Sequence, residues 1–488
     1  GHGGERGWAH ERALTLSMIR DWANPSRMPL FMTATCELAR FDDPEVESAG
    51  ELMVMNPDGG AIGMLTTTRV VFSSSNQQLN RAFYDIALED GQVPDLRLGD
   101  IARVTKNDPQ VSNTSNKRNF TLLGDAAMRL AYPEHQVILS ELPDSVRALD
   151  AFTGRGFIAN AAGDTLHDFN GVVTVRVFDK RSQINTLNND GGTAPFSFSV
   201  FRNVIHQGLS TVTNGTFDFE FVVPRDIDYE WGTGRVSCYA LDLASGADAH
   251  GASEDWHIGG VNTDYVSDVT PPKVDVYLND TLFVSGGMAG PDPVLLVRAY
   301  DEGGINSAGS GIGHQMKAVI DGDWAGAISL NEFYTSDLDT YRSGTIRFPM
   351  EGLSEGEHVI EVILWDVQNN QGRGSVAFTV VNGDAVTFDV VTAYPNPATQ
   401  DVWFDVEHTA ACESVNYRLD VFDLAGRRVH AAEWEVKSPG FRIAPFRWDL
   451  RDGNGNAVKP GTYLCRIALE TTSGEVTQHS ERIVVLRP

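Results

Sequence analysis

The sequence predicts a multidomain chain of mixed class, α/β at its N-terminal end and all-β thereafter. Three observations predict it. With 488 residues, 42% hydrophobic and 21% charged, the composition is that of ordinary globular protein, and the length exceeds what a single core serves, so three or four domains are expected. Up to about residue 140, apolar runs alternate with helical patterns. Beyond it the chain becomes a series of short alternating stretches broken by Gly, Asn and Asp, the pattern of β-sandwiches.

In the first region, "ERALTLSMIRDWAN" has apolar residues at helical spacing from Leu14 to Trp22, with Pro25 as the stop, which predicts a helix. "PLFMTATC" reads as a short buried strand, "ESAGELMVMNPDG" as a helix ending at turn residues, and "GAIGMLTTTRVVF" as a second buried strand. "NQQLNRAFYDIAL" and "RLGDIARVTKND" follow as helices and "NFTLLGD" as a last extended piece. Buried strands separated by helices predict an α/β layer with a mainly parallel sheet.

The second region offers "GVVTVRVFD", "FDFEFVVP", "RVSCYALD", "KVDVYLND", "PVLLVRAYD", "HVIEVILWD" and "GSVAFTVV" as strands. "VTPPKVDV" is a stiff joint, because two prolines precede a new strand. Pro395 and Pro397 in "AYPNPATQD" interrupt any strand and mark another. The expected domains are residues 1–138, 139–266, 267–384 and 385–488.

Charge narrows the function. Against 66 Asp and Glu stand 38 Lys and Arg, a formal charge of −28 with no long acidic block. Nucleic-acid partners need clustered cations and are disfavoured. No run reaches the roughly 18 apolar residues of a membrane helix, and no basic stretch followed by an apolar one marks a signal peptide. A glycine-rich turn normally follows a strand, so the chain is expected to begin inside a domain whose first half lies upstream of Gly1. Four cysteines, Cys36, Cys238, Cys412 and Cys465, are too few and too scattered for a disulfide scaffold or a zinc site. Cys412 and Cys465 share the C-terminal region, and geometry decides whether they pair.

The chemistry lies near the start, in "GHGGERGWAHERALT" and "PLFMTATCELARFDDP". A thiol attacks a carbonyl as thiolate, and an ordinary cysteine with a pKa of about 8.5 needs a positive or basic neighbour to supply it. His2 is a candidate for that neighbour, since Cys36 closes a strand and reactive groups of open α/β sheets sit just past strand ends. Glycines beside His2 let backbone N–H groups approach a developing oxyanion. On residue chemistry alone, Cys36 also reads as a small core hydrophobe and His2 as a solvated loop residue.

"GHGG" followed by an apolar strand ending "ATC" resembles the histidine-glycine and alanine-cysteine blocks of caspase-like cysteine peptidases, the gingipain family in particular. "ESAGELMVMNPDGGAIGMLTTTRVVFSS", "LNRAF" and "LLGDAAMRLAYP" extend the resemblance towards the sortase branch of that family, which serves the type IX secretion system at the bacterial surface. "DEGGINSAGSGIGHQMKAVIDG" and "VILWDVQNNQGRGSVAFTV" resemble the later β domains of those sortases. "AYPNPATQD" through "WDLRDGNGNAVKPGTYLCRIALETTSGE" resembles the FlgD-like C-terminal sorting domain.

The resemblance implies the C-terminal part of a caspase-like α/β domain, then three Ig-like β-sandwiches, the last of sorting type. It makes Cys36 the nucleophile, His2 its acid/base partner, and the N–H groups of Gly3 and Cys36 the oxyanion donors. Attack on a peptide bond ahead of a cargo protein's sorting domain would give a thioester, resolved by water or by an amine of surface lipopolysaccharide. Related peptidases build their specificity pocket after the next strand, which points to Thr66, Thr67, Thr68 and Arg69. Glu37, Arg40, Asp42 and Asp43 either line that pocket or form salt bridges and helix caps. Implied partners are cargo proteins, an outer-membrane β-barrel anchor, other attachment-complex proteins and lipopolysaccharide, with no cofactor, at the outer-membrane surface. Any third catalytic residue would lie upstream of Gly1, so this chain by itself is expected to be inactive.

Elsewhere the reading is structural. "DGNGNAV" alternates Asp452, Asn454 and Asn456 like a calcium loop but lacks the sixth-position glycine and the twelfth-position glutamate, so a β-turn is expected. His257 and His314 sit beside β-turns. Two other functions stay open, a noncatalytic surface scaffold and an exported gingipain-like endopeptidase. The scaffold predicts an unreactive Cys36, and the exported protease predicts removal of the C-terminal domain.

Overall fold

Five consecutive buried residues, Gly63–Thr67, form the central strand of the N-terminal part. A strand buried on both faces needs helices above and below it. In the computed structural model, which describes residues 2–9, 12–88, 96–187, 194–281, 283–308, 313–381, 388–408, 414–437, 443–471 and 474–486, the chain divides into two units, Gly1–Glu134 and His135–Pro488.

In the first unit Gly63–Thr67 pairs in parallel with Leu30–Met32 and antiparallel with Phe120–Gly124. Leu65 joins a core with Leu79, Phe83 and Ile101 from helices Ser73–Ala87 and Leu98–Asn107. Its neighbour Met64 joins a second core with Ile19, Leu52 and Met53 from helices Leu16–Arg20 and Ala49–Met55. Alternate side chains of one strand thus feed two helical layers, an α/β/α arrangement.

Three expectations are corrected here. The sheet is parallel at one junction and antiparallel at the other, because Phe120–Gly124 returns beside Gly63–Thr67 in the opposite direction. The helix expected from Leu14 to Trp22 spans only Leu16–Arg20, since Leu14–Thr15 is extended against Gly7–Trp8 and the Thr15 side chain caps the helix by accepting from Met18 N–H. The strand in "PLFMTAT" is Leu30–Met32 and is half-buried, as an edge position dictates.

The second unit is built of strands. Seven form one sheet, ordered Val204–Val212, Gly171–Phe178, Arg235–Asp242, Asp248–Ser253, His135–Glu141, Ala151–Ala159, Thr216–Val222. The expected boundary at 138/139 therefore falls inside strand His135–Glu141. Phenylalanines alternate along Thr216–Val222, and Phe217, Phe219 and Phe221 fill the core. Gly154 and Gly156 on the next strand leave room for these rings, since a Cβ there would come within 2.3 Å of Phe219 and 2.5 Å of Phe217.

Two further pairs of sheets each share one core, the first within residues 276–380 and the second within 398–485. Ala308 crosses into the first core of the unit. Three carboxyl groups, Asp268, Asp301 and Asp366, have oxygens within 4.8 Å of one another. Burial, then the charges of Asp366 and Asp268, push the Asp301 carboxyl up to about 6.

In "DGNGNAV", Asp452 Oδ1 accepts from Asn454 and Asn456 N–H, both at 2.9 Å, which is a side-chain-stabilised turn. His257 is exposed, and His314 Nδ1 lies 2.9 Å from Asp226 Oδ2. Cys412 is outside the described residues, so its pairing with Cys465 is too. No helix among the described residues is long and apolar enough to cross a membrane.

Candidate active site

Helix Ala49–Met55 organises the site. A capping box starts it, with Ser48 N–H donating to the Glu51 carboxylate at 2.8 Å and Glu51 N–H donating to Ser48 Oγ at 3.4 Å. Its first N–H groups lack helical partners and bind two separate loops. Ala49 N–H donates to Glu5 C=O at 2.7 Å, and Gly50 N–H to Leu38 C=O at 2.8 Å. Gly50 is obligatory for this fit, since a Cβ there would lie 2.5 Å from that of Ala39. Arg40 adds an ion pair to Glu5 at 3.8 Å. The glycine turn after His2 and the loop after Cys36 are thereby fixed side by side.

Within the turn, Gly3–Gly4 pairs with Gly7–Trp8. Ala9 N–H donates to His2 C=O at 2.8 Å, which makes Gly3 and Trp8 a non-hydrogen-bonded pair and leaves Gly3 N–H pointing off the ladder. A Cβ on Gly3 would lie 2.3 Å from Thr35 Oγ1. Thr35 is fully buried, its Oγ1 has no partner among the described residues, and it is the residue before Cys36. His2 itself is exposed, beside a cleft of about 560 Å³ that Gly3, Arg6, Trp8, Arg12 and Ser17 help to line. Cys36 is not among the walls of that cleft.

Cys36 sits on a bend. Glu37 adopts φ 51°, a left-handed conformation uncommon outside glycine and typical of turns that project a functional side chain. The half-buried Cys36 Sγ donates to Val71 C=O and accepts from Val71 N–H, each at 3.5 Å. Cys36 N–H has no acceptor among the described residues, so it is available as a donor. Burial pushes the Cys238 and Cys465 thiols up to about 12, which leaves them inert.

The candidate pocket residues divide. Thr67 is fully buried and donates through Oγ1 to Thr35 C=O, so it braces the loop that carries Cys36 and is turned away from solvent. Thr66 is buried too, and its Oγ1 accepts from Thr33 Oγ1 at 2.6 Å. Thr68 is half-buried and bonds Asn119 C=O at 3.2 Å. Arg69 is exposed and grips Asp42 with two hydrogen bonds, at 3.0 and 2.5 Å. That guanidinium holds the Asp42 carboxyl below its usual range. Glu37 is half-buried and its charge reaches Arg69, whereas Asp43 pairs with Arg40 at 3.7 Å.

Sequence reading passed over two asparagines. Asn116 accepts from Phe72 N–H at 2.6 Å and donates to Asn76 Oδ1 at 3.0 Å, and Asn76 donates to Ala34 C=O at 3.4 Å. This buried chain ties the segment that holds the thiol to the loop that carries it.

Peptidase family C25 matches residues 1–131. Over those residues the chain is thus similar to family C25 peptidases. Dimeric latent PorU from Porphyromonas gingivalis is 28% identical over 88% of this chain and 41% of its own, with a TM-score of 0.35. The complex of RgpB pro- and mature domains from the same organism is 13% identical over 53% of this chain and 52% of its own, with a TM-score of 0.25. The Arg specific cysteine proteinase gingipain R is 13% identical over 53% and 51%, with a TM-score of 0.24. The chain thus spans less than half the length of PorU and about half that of the two gingipain structures. No curated protein matches it.

Proposed function

We infer that this chain is part of a PorU-type sortase, a caspase-like cysteine peptidase and transpeptidase that removes C-terminal sorting domains from cargo and attaches the cargo to surface lipopolysaccharide. The approach of Gly3 to within a methyl group of Thr35 carries the reading, because it brings the His2 turn against the Cys36 loop. Long motifs in the β domains support it over a plain endopeptidase, and the β domains are read as three Ig-like modules ending in a sorting-type one.

In the reaction, Cys36 leaves its contacts with Val71 and gives its proton to His2. The thiolate attacks the scissile carbonyl, and the electron pair moves onto the oxygen, where Cys36 N–H and Gly3 N–H receive it. Collapse expels the sorting domain's amine, which takes the proton from His2. The remaining thioester is opened by water, or by a lipopolysaccharide amine whose proton His2 accepts, regenerating the thiol. On this reading Arg69, Thr68 and Glu37 contact the residues around the scissile bond. Anchor barrel, attachment-complex proteins and cargo tails are the partners at the cell surface.

The test is Cys36→Ala in the producing cell. Accumulation of cargo with sorting domains still attached is expected. Normal processing would return the head to a scaffolding role.

A further inference from the structure

Strand Thr216–Val222 ends the seven-stranded sheet, and among the described residues no strand pairs with its outer edge. The ladder with Ala151–Ala159 fixes which groups face outward. Ile158 N–H donates to Gly215 C=O at 2.7 Å and Val223 N–H to Asp150 C=O at 3.0 Å, so Thr216 and Val222 occupy non-hydrogen-bonded pairs. By alternation, Phe217, Phe219 and Phe221 bond the neighbouring strand, while Asp218 and Glu220 turn N–H and C=O outward.

The natural partner for that edge is the preceding strand, Val204–Val212. The hairpin begins as expected, with Thr213 and Thr216 exchanging hydrogen bonds at 2.9 and 3.0 Å across the Asn214–Gly215 turn. It then opens. Leu209 C=O accepts from Asp339 N–H at 2.9 Å, and Thr211 N–H donates to Asp339 Oδ1 at 2.7 Å. Two of the groups that would have met Glu220 and Asp218 are thus taken by a loop of the next pair of sheets. What remains is a cleft of about 600 Å³ between Asp218–Glu220 on one side and Gly208–Ser210 with Asp339 on the other.

No acceptor or donor among the described residues meets the outward backbone groups of Asp218 and Glu220. Two successive orphan backbone pairs on a cleft wall are a template for strand addition. Leu142, Leu209 and Phe219 give the cleft apolar lining. Its rim carries Glu141, Asp218, Glu220 and Asp339, and its one Lys or Arg among the described residues, Arg155, is already bound to Asp218 at 2.6 Å and Glu141 at 3.3 Å. An acidic rim of this kind is complementary in charge to a basic ligand.

We propose that this cleft binds an extended polypeptide segment with alternating basic and apolar residues, which adds as a strand to the edge of Thr216–Val222. Backbone bonds to Asp218 and Glu220 give affinity, and the acidic rim selects Lys or Arg.

The test uses the full chain and a capped octapeptide of alternating Lys and Val, followed by fluorescence anisotropy and amide exchange. Saturable binding with slowed exchange of the Asp218 and Glu220 amides is expected. The same peptide N-methylated at alternate residues should bind at least tenfold more weakly, because methylation removes donors and leaves charge intact. A Glu–Val octapeptide should not bind, and Glu220→Lys should weaken the Lys–Val peptide at least tenfold. Equal binding of the methylated peptide would reduce the site to charge attraction and overturn strand addition. No binding, or no protection at residues 218–220, would overturn it as well.

Discussion

A methyl group at residue 3 has nowhere to go. Its carbon would sit 2.3 Å from Thr35 Oγ1 and 3.1 Å from Thr35 Cγ2, distances at which one loop must move. Gly3→Ala should therefore lower peptidase activity of the intact enzyme tenfold or more, through the His2 turn. Thr35→Ala removes both offending atoms, so the double variant should recover most of the loss, which kcat/KM for the four proteins would reveal. At this scale the sequence made legible where a residue lies along the chain, a cysteine past a strand and a histidine among glycines, and left the chemistry of each open. It was illegible for Thr67, whose hydroxyl reads equally as pocket wall or loop support until the fold shows it fully buried against Thr35 C=O. Asn76 and Asn116 were silent because their roles rest on partners about forty residues away.

Elements were legible by period and less so by boundary. Helices Ser73–Ala87 and Leu98–Asn107 came from their apolar spacing, but no pattern distinguishes Leu14–Thr15 as extended, since the competing partner is the Gly7–Trp8 strand. The direction of Phe120–Gly124 in its sheet is likewise a tertiary fact.

One element-scale prediction concerns the loops that gather Asp268, Asp301 and Asp366. A carboxyl raised from 3.8 to about 6 binds more protons folded than unfolded between those values. Its stabilising effect is complete below pH 3.8 and is lost as pH rises through 6. Asp301→Asn keeps an oxygen for the Gly303 and Gly304 N–H groups and removes the charge. The variant should be more stable at pH 8 by about 1–3 kcal/mol, at about 1.4 kcal/mol per pKa unit, and unchanged at pH 4. Thermal melts at the two pH values measure this.

For the whole molecule, alternation of apolar and polar residues made the β region readable over most of its length. Ala308 was not, because it leaves its own neighbourhood to complete another core. Among the described residues, the three cores of residues 135–488 are each built from that unit's own side chains. A chain of residues 135–488 should therefore melt cooperatively by itself, with the β circular-dichroism spectrum of the parent protein. A molten far-UV-only signature would show that the head is required for packing.

Above these stands the claim that Cys36 carries the acyl group. The direct measurement is peptide mapping by mass spectrometry of the enzyme isolated from producing cells, acid-quenched during turnover with cargo. The account predicts a cargo-derived acyl thioester on Cys36, released by hydroxylamine and absent from Cys36→Ala. Cargo cleavage proceeding with Cys36 unmodified, or an adduct on another residue, would contradict it.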